Sequence, residues 1–266
     1  MACPFLAVKC MRFFYVEPSN IRGSQAVIEG AEAAHAKNVL RLRRGDAVGL
    51  VDGLGFEYSA VIERMVPGRV ELIVADRQAS SGQALVHLCA AQGFLKEKKM
   101  ERLVRQLSEL GVARWAPFLC ERAVARPESG RSAFRRERWR KIAIEALKQS
   151  RRGTVMEIAE VARFEQLLEQ GRSCEARVFF WEKALEPLTA ERIAGPKGPP
   201  SSVMIVLGPE GGFTEAEAAA AEAAGYVVAG LGPRILRAET AAVAACALVQ
   251  YLCGDLGLRQ KNLDKK

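Results

Sequence analysis

The sequence predicts an α/β protein: a small β-rich N-terminal module, then a larger domain whose strands alternate with helices over a mainly parallel sheet. Three observations predict it. Short apolar strands broken by glycine turns fill residues 12–75. From residue 84 onward, apolar strands alternate with amphipathic helices, the pattern of a parallel sheet. Near the C-terminus, two glycine-containing strand-to-helix turns follow each other about one βαβ unit apart, the kind of place where open α/β sheets bind ligands.

In the first module, strands are expected from Arg12, at Ala47–Val51, at Glu57–Ile62 and at Val70–Ala75, with turns at Arg44-Gly45-Asp46, Asp52–Gly55 and Pro67-Gly68. Their spacing suits a small antiparallel β-barrel. A short helix is expected over Ala31–Leu40. The polar, small stretch Asp76–Gln83 places the boundary, giving modules over 1–82 and 83–266. The second module opens on a strand at Ala84–Ala90. An amphipathic helix over Lys96–Leu110 follows, with Met100, Leu103, Val104, Leu107 and Leu110 on one face and Gly111 as its stop. Further strands fall at Arg114–Leu119 and Val178–Trp181. A basic helix over Arg135–Ser150 turns Trp139, Ile142, Ala143, Ala146 and Leu147 inward, and Gly195–Ser202 is a Gly/Pro linker.

The first turn closes the strand Val203–Leu207 and reads Leu207-Gly208-Pro209-Glu210-Gly211-Gly212-Phe213-Thr214; Thr214 caps an alanine-rich helix, with Glu217 completing a capping box and Gly225 ending it. The second, after Tyr226-Val227-Val228, reads Leu231-Gly232-Pro233-Arg234-Ile235-Leu236-Arg237-Ala238-Glu239-Thr240, with Thr240 as the expected cap of a helix running to Gly254. Both should leave the carboxyl ends of adjacent parallel strands. Phe213 after Gly212 excludes a P-loop, and the dinucleotide spacing of glycines is absent. Glu210 would repel a phosphate and suits a cationic or neutral ligand.

Composition narrows the rest. The chain has 266 residues, is about half apolar and contains no apolar run of membrane-spanning length. It carries no secretory signal pattern, so it reads as cytoplasmic. Seven scattered cysteines without a Cys-x-x-Cys pair, beside only His35 and His87, predict no metal. The net charge of +8 is uneven: residues 12–80 are neutral, 81–152 carry +10 and 153–255 carry −6. A basic middle of this kind meets a polyanion. Its candidates are Arg131, Arg135, Arg136, Arg138, Arg140, Arg151 and Arg152, which serve either as phosphate contacts or as a solvated helix face. Lys96, Lys98, Lys99 and Arg102 form a weaker patch.

The two turns together resemble the bacterial small-subunit ribosomal RNA uridine-N3 methyltransferases of the SPOUT superfamily, over nearly all of the chain from Met11 to about Gly254. The resemblance implies an α/β trefoil knot, a PUA-like barrel in the first module and a homodimer packed through Thr240–Cys253. It further implies S-adenosylmethionine as cofactor and methyl transfer to N3 of one uridine in 16S rRNA near the decoding centre, on the small ribosomal subunit. Cofactor contacts are then expected at Leu207, Gly208, Pro209, Glu210, Gly211, Gly212, Leu231, Gly232, Ile235, Leu236 and Thr240. Arg234 or Arg237 would stabilise developing negative charge, and Glu239, or a water it holds, would accept the N3 proton; a partner of the helix dipole is the other reading of Glu239. His35-Ala36-Lys37-Asn38-Val39-Leu40-Arg41 also resembles the family, which makes His35, Lys37, Arg41 and Arg43 RNA contacts, although His35 fits a local hydrogen bond as well. Residues 1–10 precede the family's usual start and are expected to be a poorly ordered extension. Two other readings remain: a SPOUT enzyme acting on another RNA site, such as a ribose hydroxyl, and a non-catalytic RNA-binding assembly factor.

Overall fold

The computed structural model describes residues 12–257 except 81, 83, 128, 129 and 195–197, so the expected extension at 1–10 lies outside the described residues. Two compact units divide the chain. One comprises residues 1–83 with 147–155; the other comprises 84–146 with 156–266.

The first unit is a six-stranded sheet. In chain order its strands are β1 (Phe13–Tyr15), β2 (Ile21–Arg22), β3 (Gln25–Glu29), β4 (Ala47–Val51), β5 (Phe56–Val66) and β6 (Arg69–Ala79). In space they run β1-β4-β5-β6-β3-β2. The barrel expected from the strand spacing is not closed, because β1 and β2 remain the two edges. Nor is the sheet wholly antiparallel, since β1 pairs parallel to β4. Strand alternation puts Ile28, Val48, Leu50, Ile62, Val70 and Leu72 into one core with Phe14. β6 continues to Ala79, into the stretch Asp76–Gln83 expected as the boundary, and its register on β5 absorbs two irregularities, at Ser59/Ala60 and at Ile62/Arg64.

Between β3 and β4, helix α1 (Gly30–Ala34) gives way to a π-turn over His35–Val39. The segment 147–155 belongs to this unit although it follows most of the basic helix in sequence. It pairs back through Leu54↔Thr154, with the Val155 N–H donating to the Gly53 carbonyl at 3.0 Å. Lys148 pairs with Glu32, and the Arg151 guanidinium lies 5.9 Å from the centre of the Phe13 ring.

The second unit carries β7 (His87–Gly93), β8 (Arg114–Leu119), β9 (Glu157–Ile158), β10 (Ala162–Arg163), β11 (Ala176–Phe180), β12 (Ser202–Leu207) and β13 (Val227–Ala229). They form a parallel sheet in the order β10-β8-β7-β12-β11-β13, with β9 also on β8. Its helices are α2 (Glu97–Glu109), α3 (Ser132–Ser150, whose last turn enters the first unit), α4 (Phe164–Gly171), α5 (Ala190–Ile193), α6 (Glu215–Ala223) and α7 (Ala238–Cys253). On one face, Phe164 and Leu167 of α4 and Ala221 of α6 pack with Phe118, Phe179 and Val206 of the sheet. Elsewhere α7 touches β7, β12 and α2. Buried Gln250 of α7 donates to the Leu110 carbonyl at 2.9 Å.

The strands ahead of the two glycine turns are not neighbours, contrary to the sequence expectation. β11 stands between β12 and β13, paired parallel to both, with Val178 opposite Ile205 on one side and Val227 on the other. The carboxyl end of β11 therefore opens between the two turns.

Candidate active site

Loop 1, residues 208–214 after β12, is fastened on every side. Gln92, fully buried at the end of β7, donates from Nε2 to the Gly208 carbonyl at 2.8 Å. Gly93 leaves room for Pro209, since a Cβ there would meet the proline ring at 2.6 Å. Arg122 donates to the Phe213 carbonyl at 3.2 Å. The Phe213 ring is buried 4.2 Å from Phe179, with Phe118 and Phe164 around it. The capping box at Thr214 and Glu217 forms as expected, and the second Glu217 oxygen accepts from the Glu121 N–H at 2.9 Å. Gly212 has φ +66, and a Cβ on it would press the Glu182 carboxylate at 2.7 Å.

Loop 2, residues 230–237 after β13, is held at its ends. The Gly230 N–H donates to the Glu186 carbonyl at 2.9 Å, and the Ala241 N–H to the Arg237 carbonyl at 2.8 Å. Among the described residues no hydrogen bond ties 231–236 to the rest of the chain. Gly232 has φ +92 with open space where a Cβ would stand. Ile235 is 87 % exposed.

The expected cap of α7 is corrected here. Arg237 is the N-cap, in an extended conformation, and the helix begins at Ala238; Thr240 lies in its first turn, exposed, and caps nothing. The residue that serves the helix start is Glu239, an acidic group in that turn.

Between the loops lies a cleft of about 1060 Å³. Ten of the eleven expected cofactor residues line it, all but Thr240, and so do Arg234 and Arg237. The remaining wall was not foreseen: Trp181–Leu185 and Pro187 follow β11, and Lys99 comes from α2. The signal for the first was present, because β11 was expected as a parallel strand and its carboxyl end is a ligand-facing position. In the sequence Lys99 stands in the weaker basic patch with Lys96, Lys98 and Arg102, which gives no sign of a place in the cleft.

Glu239 is not in the cleft wall, but Lys99 joins it to the wall. Lys99 Nζ lies 3.1 Å from Glu210 Oε1 and 3.2 Å from Glu239 Oε2. The second contact is an ion pair by distance without hydrogen-bond alignment, so the buried Oε2 keeps unused accepting capacity. Burial alone would raise the Glu239 pKa. The backbone N–H at the helix start, Lys99 and Arg237 outweigh it and hold the carboxyl below its usual range. The Lys99 ammonium is pushed up, chiefly by its bond to Glu210.

The expected RNA contacts divide. His35, Lys37, Arg41 and Arg43 are all exposed around the π-turn of the first unit, where Arg41 adopts φ +53 and the Arg43 N–H donates to Asp46 at 2.7 Å. Arg131, Arg136, Arg138 and Arg151 are exposed and Arg140 is half-buried; Arg136 pairs with Glu160 and Arg138 with Glu101, each at 2.8 Å. Arg135 and Arg152 are corrected: both are buried. The Arg135 guanidinium lies 5.7 Å and 6.0 Å from the centres of the Phe94 and Trp139 rings, so it packs against α3 where an exposed phosphate contact was expected. Among the described residues no His, Cys, Asp and Glu grouping could hold a metal, and no helix is long and apolar enough to cross a membrane.

Comparison with known proteins decides the family. Residues 83–250 match the model of an RNA methyltransferase domain, and residues 28–75 that of an RNA methyltransferase PUA domain. The ribosomal RNA small subunit methyltransferase E of Bacillus subtilis is 34 % identical over 229 residues, covering 84 % of this chain and 89 % of the relative. This chain belongs to the ribosomal RNA small subunit methyltransferase E family. The family's Aquifex aeolicus member is 33 % identical over 90 % of this chain and 99 % of its own. A crystal structure of the Neisseria gonorrhoeae member, bound to S-adenosyl methionine, superposes with a TM-score of 0.81 at 29 % identity, covering 92 % of this chain and 99 % of that one.

The cleft fits such a cofactor on its own terms. Its volume suits a ligand of that size, glycines bring the main chain to its wall, and Leu207, Leu231 and Leu236 offer apolar surface. The carboxylates of Glu182 and Glu210 suit a cationic ligand and oppose a phosphate.

Proposed function

We propose that this chain, an S-adenosylmethionine-dependent ribosomal RNA methyltransferase, methylates N3 of one uridine in 16S rRNA near the decoding centre. The observation that carries the reading is the cleft: two glycine loops of the family's pattern face each other across the carboxyl end of β11, with both arginines of loop 2 in its wall. When bound, the cofactor supplies a methyl group on an already activated sulfonium, so no metal is required. The main chain of loops 1 and 2, with Leu207, Leu231, Ile235 and Leu236, holds it.

Uridine N3 becomes nucleophilic as its proton leaves. Arg234 and Arg237 stabilise the charge that then spreads over O2 and O4. A carboxyl held below its usual range is a weak proton acceptor, which favours Glu239 as an organiser of the helix start and disfavours it as the base. Single-turnover methylation by Glu239→Gln at saturating cofactor separates the two: retained chemistry supports the organiser, and its loss restores the base.

The exposed His35, Lys37, Arg41 and Arg43 of the PUA-matching unit, with the exposed arginines of α3, seat the RNA by phosphate contact. A trefoil knot in the second unit and a homodimer built on α7 belong to the same proposal, as does a cytoplasmic location; sedimentation equilibrium of the whole chain tests the dimer. The activity itself is tested by methyl transfer from labelled S-adenosylmethionine to small subunits that lack the modification, with the product mapped by mass spectrometry. A single N3-methyluridine near the 3′ end of 16S rRNA is expected. A methylated ribose or another base would redirect the substrate assignment, and cofactor binding without transfer to any RNA would favour an assembly factor.

A further inference from the structure

Lys99 belongs to neither glycine loop, yet its ammonium touches one carboxylate on loop 1 and one just beyond loop 2. Glu210 is the tip of loop 1, 3.1 Å away, and Glu239 is in the first turn after loop 2, 3.2 Å away. The three side chains are only partly open to water, at 32 %, 33 % and 18 % exposure. We propose that Lys99 is a positioning residue, a charged clamp on α2 that fixes the spacing of the two loops and so shapes the cofactor cleft. The proposal rests on the reading of that cleft as the cofactor site.

The clamp is anchored at one end and needed at the other. Met100, Leu103, Val104 and Leu107 of α2 are fully buried, so the lysine hangs from a rigid helix. Loop 1 is already fastened by Gln92, Arg122 and Phe213. Loop 2 has no hydrogen bond over 231–236 among the described residues, so its position depends on its two ends. The Lys99–Glu239 contact secures the end that continues into α7. Two carboxylates facing one another without the ammonium repel. Arg237 is the other cation acting on Glu239, and as the N-cap of α7 it sits at the same helix start, so it does not link that start to loop 1.

The test uses the whole chain, with S-adenosylmethionine binding followed by calorimetry, steady-state kinetics on small subunits and thermal melting. Lys99→Met is expected to weaken cofactor binding about tenfold, the loss of roughly one partly desolvated charge contact. It should raise the cofactor KM more than it lowers kcat. Lys99→Arg, which keeps the charge, should recover most of the loss. Adding Glu239→Gln to Lys99→Met should recover part of it, because the repulsion is gone; a merely structural lysine would show no such rescue. Binding by Lys99→Met within twofold of the unaltered chain overturns the clamp, as does a loss that neither second change relieves. Absence of cofactor binding by the unaltered chain would remove the site reading itself, a different and separately visible failure.

Discussion

Loops 1 and 2 share a sheet, a cleft and a glycine-rich composition, yet they are built on opposite principles. Loop 1 is part of the core: Phe213 is 1 % exposed, and two neighbouring segments, the end of β7 and residues 121–122, bond its main chain or its capping residue Glu217. Loop 2 exposes Ile235 and holds Gly232 at φ +92 over open space. Binding sites gain from preorganised walls, because ordering a loop at the moment of binding costs affinity. They also need one element free enough to admit the ligand. Here the two requirements fall on different loops, and substitutions in the first should act on stability while those in the second act on binding.

The largest expected effect is at Phe213→Ala. Removing a ring enclosed by Phe118, Phe164 and Phe179 should destabilise the chain by about 3–5 kcal/mol, read by urea unfolding. A loss below 1 kcal/mol would mean that loop 1 is not a core element. Next is Glu217→Ala, which removes a capping box and the acceptor for Glu121; about 1–2 kcal/mol should be lost in the same assay.

On loop 2, Gly232→Ala meets no atom but forces an L side chain to φ +92. Strain of about 1 kcal/mol should appear in stability, with a clearly larger proportional loss in cofactor binding. Ile235→Ala should leave stability within about 0.5 kcal/mol, since the side chain is 87 % exposed, and weaken cofactor binding measurably. Unchanged binding in both variants would break the comparison. The smallest effect concerns pH. Because the folded pKa of Glu239 is depressed, its contribution to stability is present at neutral pH and is lost as pH falls through that lowered value. Glu239→Gln should flatten that part of an acid-unfolding profile and no other.

Much of this was legible in the residues. Glycine, threonine and glutamate at fixed offsets announced loop 1 and its capping box, since those residue types answer local backbone needs. The strand Arg114–Leu119 appears with the predicted bounds because an apolar run between a helix stop and a polar loop has few alternatives. What the sequence hid was tertiary. The expected strand Val178–Trp181 points to a ligand-facing end, but no local pattern says that β11 inserts between β12 and β13, so the sequence does not place Trp181–Leu185 and Pro187 beside the two turns. The return of residues 147–155 to the first unit is a long-range pairing through Leu54↔Thr154, invisible to periodicity. Arg135 and Arg152 stand in the basic run like their exposed neighbours, because composition cannot separate a buried arginine from one that meets solvent. The open edges of the first sheet depend on strand pairing, whereas only strand spacing can be read from sequence. Thr240 misled for a simpler reason: Arg237 already held the extended conformation that a cap requires.

The contrast between the loops can be measured directly by hydrogen–deuterium exchange of the whole chain with and without S-adenosylmethionine. The amides of residues 231–237 should exchange fast in the free protein and gain marked protection on binding, while those of 210–214 should be protected from the outset and change little. Equal protection of both loops before binding, or a gain confined to loop 1, would contradict the account.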